Sequence, residues 1–159
     1  MAKRLYILTG VAALFAAVTA PAMSETLPTR HVLTLDIARR IVVAAEAEAR
    51  RQNQPAVIAV VDAEGLLIAL DRMDGAMFAS VSLAPGKAKA AASFNRPSKA
   101  LEDAIHDGRI ALTTSGFVTM GGGVPLVLNG EEVGAIGVST PKPDADLKIA
   151  AVGAAALSK

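Results

Sequence analysis

The chain has 159 residues, of which 52% are hydrophobic, 19% charged and 3% aromatic, with no Cys and no Trp. That length supports one ordinary domain, and the absence of Cys excludes disulfides, thiolate zinc sites, iron–sulfur ligation and a Cys nucleophile. Sixteen Lys and Arg against 15 Asp and Glu give a net charge of +1 with no long run of either sign. This argues against a nucleic-acid binder, whose affinity needs a basic patch or a set of stacking aromatics.

In chain order, Met1 to Arg4 is a short basic segment, and Leu5 to Val18 carries no charge. Small residues flank a cleavage position at Ala20-Pro21-Ala22. A basic start, an apolar stretch and an A-x-A site predict a secretory signal, cut after Ala22 or, as second choice, after Ser24. The apolar run is shorter than the roughly 20 residues a membrane-spanning helix needs. The expectation is therefore an exported protein, periplasmic or secreted, with residues 1–22 as signal and no membrane anchor after cleavage. Residues 23–32 read as a flexible lead-in and 33–159 as a single domain. The remaining aromatics are Phe78, Phe94 and Phe117, for which core packing is the expectation.

Thr34 is placed to cap a helix over Leu35–Gln52, with Ile37, Ile41, Ala44, Ala45, Glu48 and Arg51 at helical spacing. Ala56–Val61 and Leu66–Arg72 are short apolar runs around Asp62-Ala63-Glu64-Gly65, which predicts a β-hairpin. Ala76–Phe94 is helical in character but contains Pro85, so a break or restart is expected there. Asn95-Arg96-Pro97-Ser98 reads as a stop and a new cap before a short helix from Lys99 to His106, with Leu101 and Ile105 as its core pair. Thr113–Met120 is irregular or weakly extended. Gly121-Gly122-Gly123 then leads into Val124–Leu128, Asn129-Gly130 is a strong two-residue hairpin signal, and Val133–Ser139 is the return strand. A terminal helix is expected over Asp144–Leu157. The order predicts an α+β fold in layers, an antiparallel sheet flanked by helices.

Several strings resemble the GlcG/HbpS family of haem-binding-like proteins, also found as the C-terminal domain of PduO-type proteins. They are LTLDIARRIVVAAEAEAR at Leu33–Arg50, VIAVVDAEGLLIALDRMDGA at Val57–Ala76, GKAKAAASFNRPSKALED at Gly86–Asp103 and GGVPLVLNGEEVGAIGVS at Gly122–Ser139. The resemblance covers about Leu33 to Leu157. It implies a profilin-like sandwich that assembles into homo-oligomers, often octamers, with haem or iron as a ligand and in some members a sensor or pathway protein as partner. The sequence departs from many relatives at Thr140-Pro141-Lys142-Pro143, where they carry a Gly and an acidic, Gln-rich stretch.

Haem iron needs a strong axial ligand. His31, His106, Met73, Met77 and Met120 are on offer, and His31 lies where some haem-binding relatives carry an axial His. A His in a polar lead-in is otherwise simply solvated, and His106 suits the C-terminal end of a helix. Arg72, Lys87, Lys89 and Arg96 are candidates for haem propionates or another carboxylate ligand. Pairing of Arg72 with Asp62, Asp71 or Asp74 is the structural alternative. Gly122 and Gly123 suggest either a ligand contact or a close approach of backbones. No GxSxG elbow or Ser–His pattern stands out, and Asp62, Asp71 and Asp74 match no common metal spacing. The sequence thus favours an exported tetrapyrrole-binding protein with His31 as iron ligand and Arg72 or Lys87 facing propionates. The alternatives are an accessory protein or enzyme for a small carboxylate or hydroxy acid, and an oligomeric signalling protein without a small ligand.

Overall fold

A computed structural model describes residues 26–158; the expected signal segment lies outside them. Helix α1 spans Leu35–Arg51, followed by strands β1 (Val57–Asp62) and β2 (Leu67–Arg72). Helices α2 (Ser80–Phe94) and α3 (Lys99–His106) and a short 3-10 turn at Ile110–Thr114 come next. Strands β3 (Gly123–Leu128) and β4 (Glu131–Ser139) and helix α4 (Pro143–Ala154) complete the order. The strands form one sheet in the order β2-β1-β4-β3, with every neighbour antiparallel. The α+β reading holds.

The two central strands are buried on both faces because helices cover both. Successive strand side chains point to opposite sides. Ile58 and Val60 of β1 therefore join Ile136 and Val138 of β4 in a core closed by Ile41, Val42 and Ala45 of α1 and Ile149 and Ala150 of α4. Val57, Ala59, Val61 and Ala135 face the other way and meet Ala84, Ala88, Ala91 and Ala92 of α2. The alanine bias of α2 is thus a packing device. A Cβ at Gly137 would collide with the backbone carbonyl of Ala84, so helix and strand touch main chain to main chain.

Most boundaries agree with the local signals. Thr34 Oγ1 accepts the Ile37 N–H of the first turn of α1 at 3.4 Å. Asn129 (φ 53°) and Gly130 (φ 84°) both adopt left-handed backbone between the paired Leu128 and Glu131, as a two-residue hairpin of the primed type requires. Pro143 sits in the first turn of α4, where its missing N–H costs nothing.

Four details differ from expectation. The buried stripe of α1 is Ala38, Ile41, Val42, Ala45 and Ala49, one position round from the face that included Glu48 and Arg51. Helix α2 runs through Pro85 without a break. The proline withholds an N–H from the carbonyl of Val81, a residue 39% exposed, where water can take that bond. Packing of α2 on the sheet holds the rest of the helix. Ser98 does not cap its own helix with its hydroxyl. Among the described residues no Phe enters the core: Phe78 is 84% exposed, and Phe94 and Phe117 are half-buried edge-to-face partners at 5.1 Å.

Candidate functional site

Among the polar pairs that join segments far apart in sequence, two mark opposite ends of the sheet. At one end, Lys87 of α2 donates from Nζ to Asp146 Oδ2 of α4 at 2.6 Å. Both side chains are almost wholly buried, at 2% and 1% exposure. The helices that carry them lie on opposite faces of the sheet, so the Lys87 stem crosses its β3 edge. Gly122 and Gly123 create that passage. A Cβ on Gly122 would stand 2.7 Å from Val138 O, 2.8 Å from Asp146 Cβ and 3.2 Å from Lys87 Cδ. A Cβ on Gly123 would strike the Lys87 carbonyl. The φ of 117° at Gly122 is also one that only glycine adopts without strain.

Hydrogen bonds complete this junction. Asp146 Oδ1 accepts from Thr140 N at 2.8 Å and from Thr140 Oγ1 at 2.7 Å. Ser98 Oγ donates to Met120 O at 2.7 Å and accepts from Gly123 N at 2.8 Å, fastening the glycine loop to the start of α3. Glu102 Oε2 accepts from Gly121 N at 2.6 Å. Burial pushes the Asp146 carboxyl upward, against the opposing pull of Lys87 and Thr140. Beside the pair lies a cavity of about 360 Å³, lined by Lys87, Lys99, Glu102, Met120, Gly121, Pro143, Asp144, Leu147 and Lys148.

At the other end of β4, roughly 25 Å away at the usual rise per strand residue, the lead-in crosses the sheet and presents His31. Its Nδ1 lies 2.6 Å from Glu131 Oε2, and its backbone N–H donates to Glu131 Oε1 at 3.1 Å. The His31 side chain is 57% exposed. The same carboxyl is held below the usual carboxylate range, chiefly by the His31 side-chain hydrogen bond. Arg30 pairs with Glu64 at 2.5 Å. Exposed Leu27, Val32 and Leu66 belong to these same segments.

Arg72 ends β2. The register pairs it with Val57, which in turn pairs with Ser139, so Arg72 is at the Asp146 end of the sheet but on the opposite edge. Its guanidinium stacks on the exposed Phe78 ring, 5.0 Å from the centroid, and makes no ion pair with Asp62, Asp71 or Asp74 among the described residues. Asp62 instead caps its own turn, accepting from Glu64 N and Leu66 N.

Of the residues singled out from sequence, Lys87, Gly122 and Gly123 come together, whereas His31 and Arg72 stand apart from them and from each other. A ligand at His31 is therefore out of reach of Lys87, whose charge Asp146 already meets. Lys89 is exposed and packs across Gly65, Arg96 lies over Phe94, and His106 closes α3. Met73 packs against the main core, while Met77 and Met120 are 41% and 43% exposed. Sequence reading missed Asp146, Thr140, Ser98 and Glu131. The available signal was the glycine triplet, which implies a close backbone approach without saying what approaches.

A family model described as "Haem degrading protein HbpS-like" matches residues 33–155. The chain belongs to the HbpS-like family. It is 38% identical to Escherichia coli K12 protein GlcG over 112 residues, covering 70% of this chain and 84% of that one. Among solved structures, Streptomyces reticuli HbpS, as a double mutant, superposes with a TM-score of 0.76 at 32% identity, covering 88% of this chain and 97% of that one. A structure described as a PduOC:heme complex gives a TM-score of 0.73 at 30% identity, covering 79% and 95%. A relative solved with haem thus shares this HbpS-like fold.

Proposed function

We propose that this HbpS-like chain binds haem or a related tetrapyrrole outside the cytoplasm, with His31 as the iron ligand. The observation that carries the reading is the exposed His31 imidazole with Nδ1 bound to Glu131. A carboxylate on Nδ1 orients the ring, sets the tautomer and leaves Nε2 as the coordinating nitrogen, the arrangement typical of metal-binding His. Haem, when bound, would supply an iron centre able to accept a neutral imidazole nitrogen. Likeness to the PduOC:heme complex supports the ligand class. The N-terminal basic and apolar segments support export.

Titration of the purified protein with hemin tests this directly. A saturable, shifted Soret band that His31→Ala abolishes is the expected result. A band unchanged in His31→Ala keeps haem and rejects His31; no saturation at micromolar hemin overturns the haem function.

We further propose that the chain assembles into a homo-oligomer through the β2 side of the sheet. Among the described residues strand β2 is an unpaired edge, with Leu67 55% exposed and Phe78 84% exposed beside it. Such apolar surface beside a free strand edge favours self-association. Light scattering is expected to show an oligomer that Phe78→Glu dissociates. A monomeric wild-type protein would remove this reading.

A further inference from the structure

The cavity beside Lys87 lies at the end of the sheet opposite His31, and the haem reading makes no use of it. Its walls come from the start of α3, the loop at Met120 and Gly121, and the first turns of α4. At about 360 Å³ it lies in the lower part of the size range of small-molecule sites, about 300–1,000 Å³. Met120, Pro143 and Leu147 give it an apolar side.

Its polar side has unspent donor capacity. The ammonium of Lys87 carries three N–H groups, yet its sole hydrogen bond among the described residues is to Asp146. Buried donors of this kind are ordinarily satisfied by a protein group, a ligand or water. Lys99 is bridged to Glu102 and Asp103. Exposed Lys148 makes no ion pair among the described residues, although it too lines the cavity. The first turn of α4 opens here; the N–H of its cap residue Lys142 donates to Thr140 Oγ1 at 3.1 Å, and the Lys142 side chain makes no cap hydrogen bond.

We infer that this cavity binds a small, singly charged organic acid, its carboxylate between Lys148 and the Lys87 ammonium and its carbon chain against Met120 and Leu147. Glu102 and Asp144 set the charge limit. Asp146 meets the charge of Lys87, and Glu102 and Asp103 meet that of Lys99. Of the lining lysines, Lys148 alone is left to balance a ligand, and a second negative charge faces Glu102 and Asp144. A monocarboxylate is therefore preferred over phosphate. The Lys87–Asp146 pair stays intact and offers the ligand only its spare N–H groups. Water at Lys87 is the competing occupant, and a carboxylate displaces it by supplying the counter-charge that Lys148 lacks among the described residues.

Sodium butyrate is the probe, with sodium chloride at equal ionic strength as reference and sodium phosphate, at a pH well above its second ionisation, as the dianion. Amide chemical shifts of the full chain are followed by NMR. Expected are saturable shifts with butyrate at Gly121–Gly123 and Asp144–Lys148, weaker binding of phosphate, and an affinity about tenfold lower in Lys148→Glu, the scale of one charge-assisted hydrogen bond. Lys148 is exposed, so the variant folds, and its hemin titration is expected to match the wild type because the haem ligand lies at the far end. Absence of saturation, identical shifts with chloride, phosphate binding as tightly as butyrate, or full affinity in Lys148→Glu each overturns the inference. Loss of hemin binding alone leaves it standing.

Discussion

The His31–Glu131 and Lys87–Asp146 pairs have the same contact distance, 2.6 Å, but opposite surroundings. The first is more than half exposed on its His side and ties an irregular segment to a strand end. The second is enclosed, spans the sheet edge and is surrounded by glycine backbone and by the Thr140 and Ser98 hydroxyls. An exposed pair contributes little to stability, because water solvates the separated charges almost as well. A buried pair is different: whichever partner remains after a substitution is a charge without solvent. The His31–Glu131 contact can therefore be broken and remade at little cost, while the Lys87–Asp146 pair holds the layers together.

Lys87→Met should give the largest effect. It strands Asp146 in a buried site, and a loss of about 3–5 kcal/mol in denaturant unfolding is expected. Pairing it with Asp146→Leu removes the stranded charge and should restore part of that loss; no recovery would mean that Asp146 is needed mainly for its bonds to Thr140. Gly123→Ala comes next, at about 3 kcal/mol, because its Cβ collides with the Lys87 backbone, which helix α2 cannot easily shift. A loss below 1 kcal/mol, on the same scale, would show that the passage is looser than its contacts imply.

At the other end the effects are local. Glu131→Gln should leave the melting temperature close to the wild type while weakening protection of the His31 amide against hydrogen exchange. Acid should do the same. Glu131 titrates below its ordinary value in the folded protein, so its contribution is complete above the usual carboxylate pKa of 4.5 and is lost as pH falls below it. Protection of the His31 amide that persists unchanged at low pH would show that the lead-in is held by other contacts.

The smallest effect is expected at Glu132, whose Oε1 is buried without a hydrogen-bond partner among the described residues. Burial pushes this carboxyl upward, so the folded state binds its proton more tightly than the unfolded chain does. Its effect on stability therefore worsens as pH rises through the carboxylate range. Glu132→Gln should raise the melting temperature slightly at neutral pH and leave it unchanged in acid.

Much of the fold was legible from local patterns. The hairpin at Asn129-Gly130, the cap at Thr34 and the doubly buried run Ala56–Val61 are each set by neighbours a few residues away. The candidate site was less legible for the opposite reason. Lys87 and Asp146 are 59 residues apart, and their pairing exists only because α2 and α4 pack on opposite faces of one sheet. Glu131 is 100 residues from His31 and meets it only where the lead-in crosses the sheet.

The sequence by itself determined the elements, their order, the antiparallel layered fold and the resemblance to a haem-linked family. These rest on periodicity, turn chemistry and strings of adjacent residues. Only the tertiary structure decided that Pro85 stays within a helix, that Phe78 faces solvent under Arg72, and that the glycine triplet opens a path for a buried lysine. Each of these depends on which surfaces meet in space, and hydrophobic packing between layers sets that without leaving a local mark in the chain.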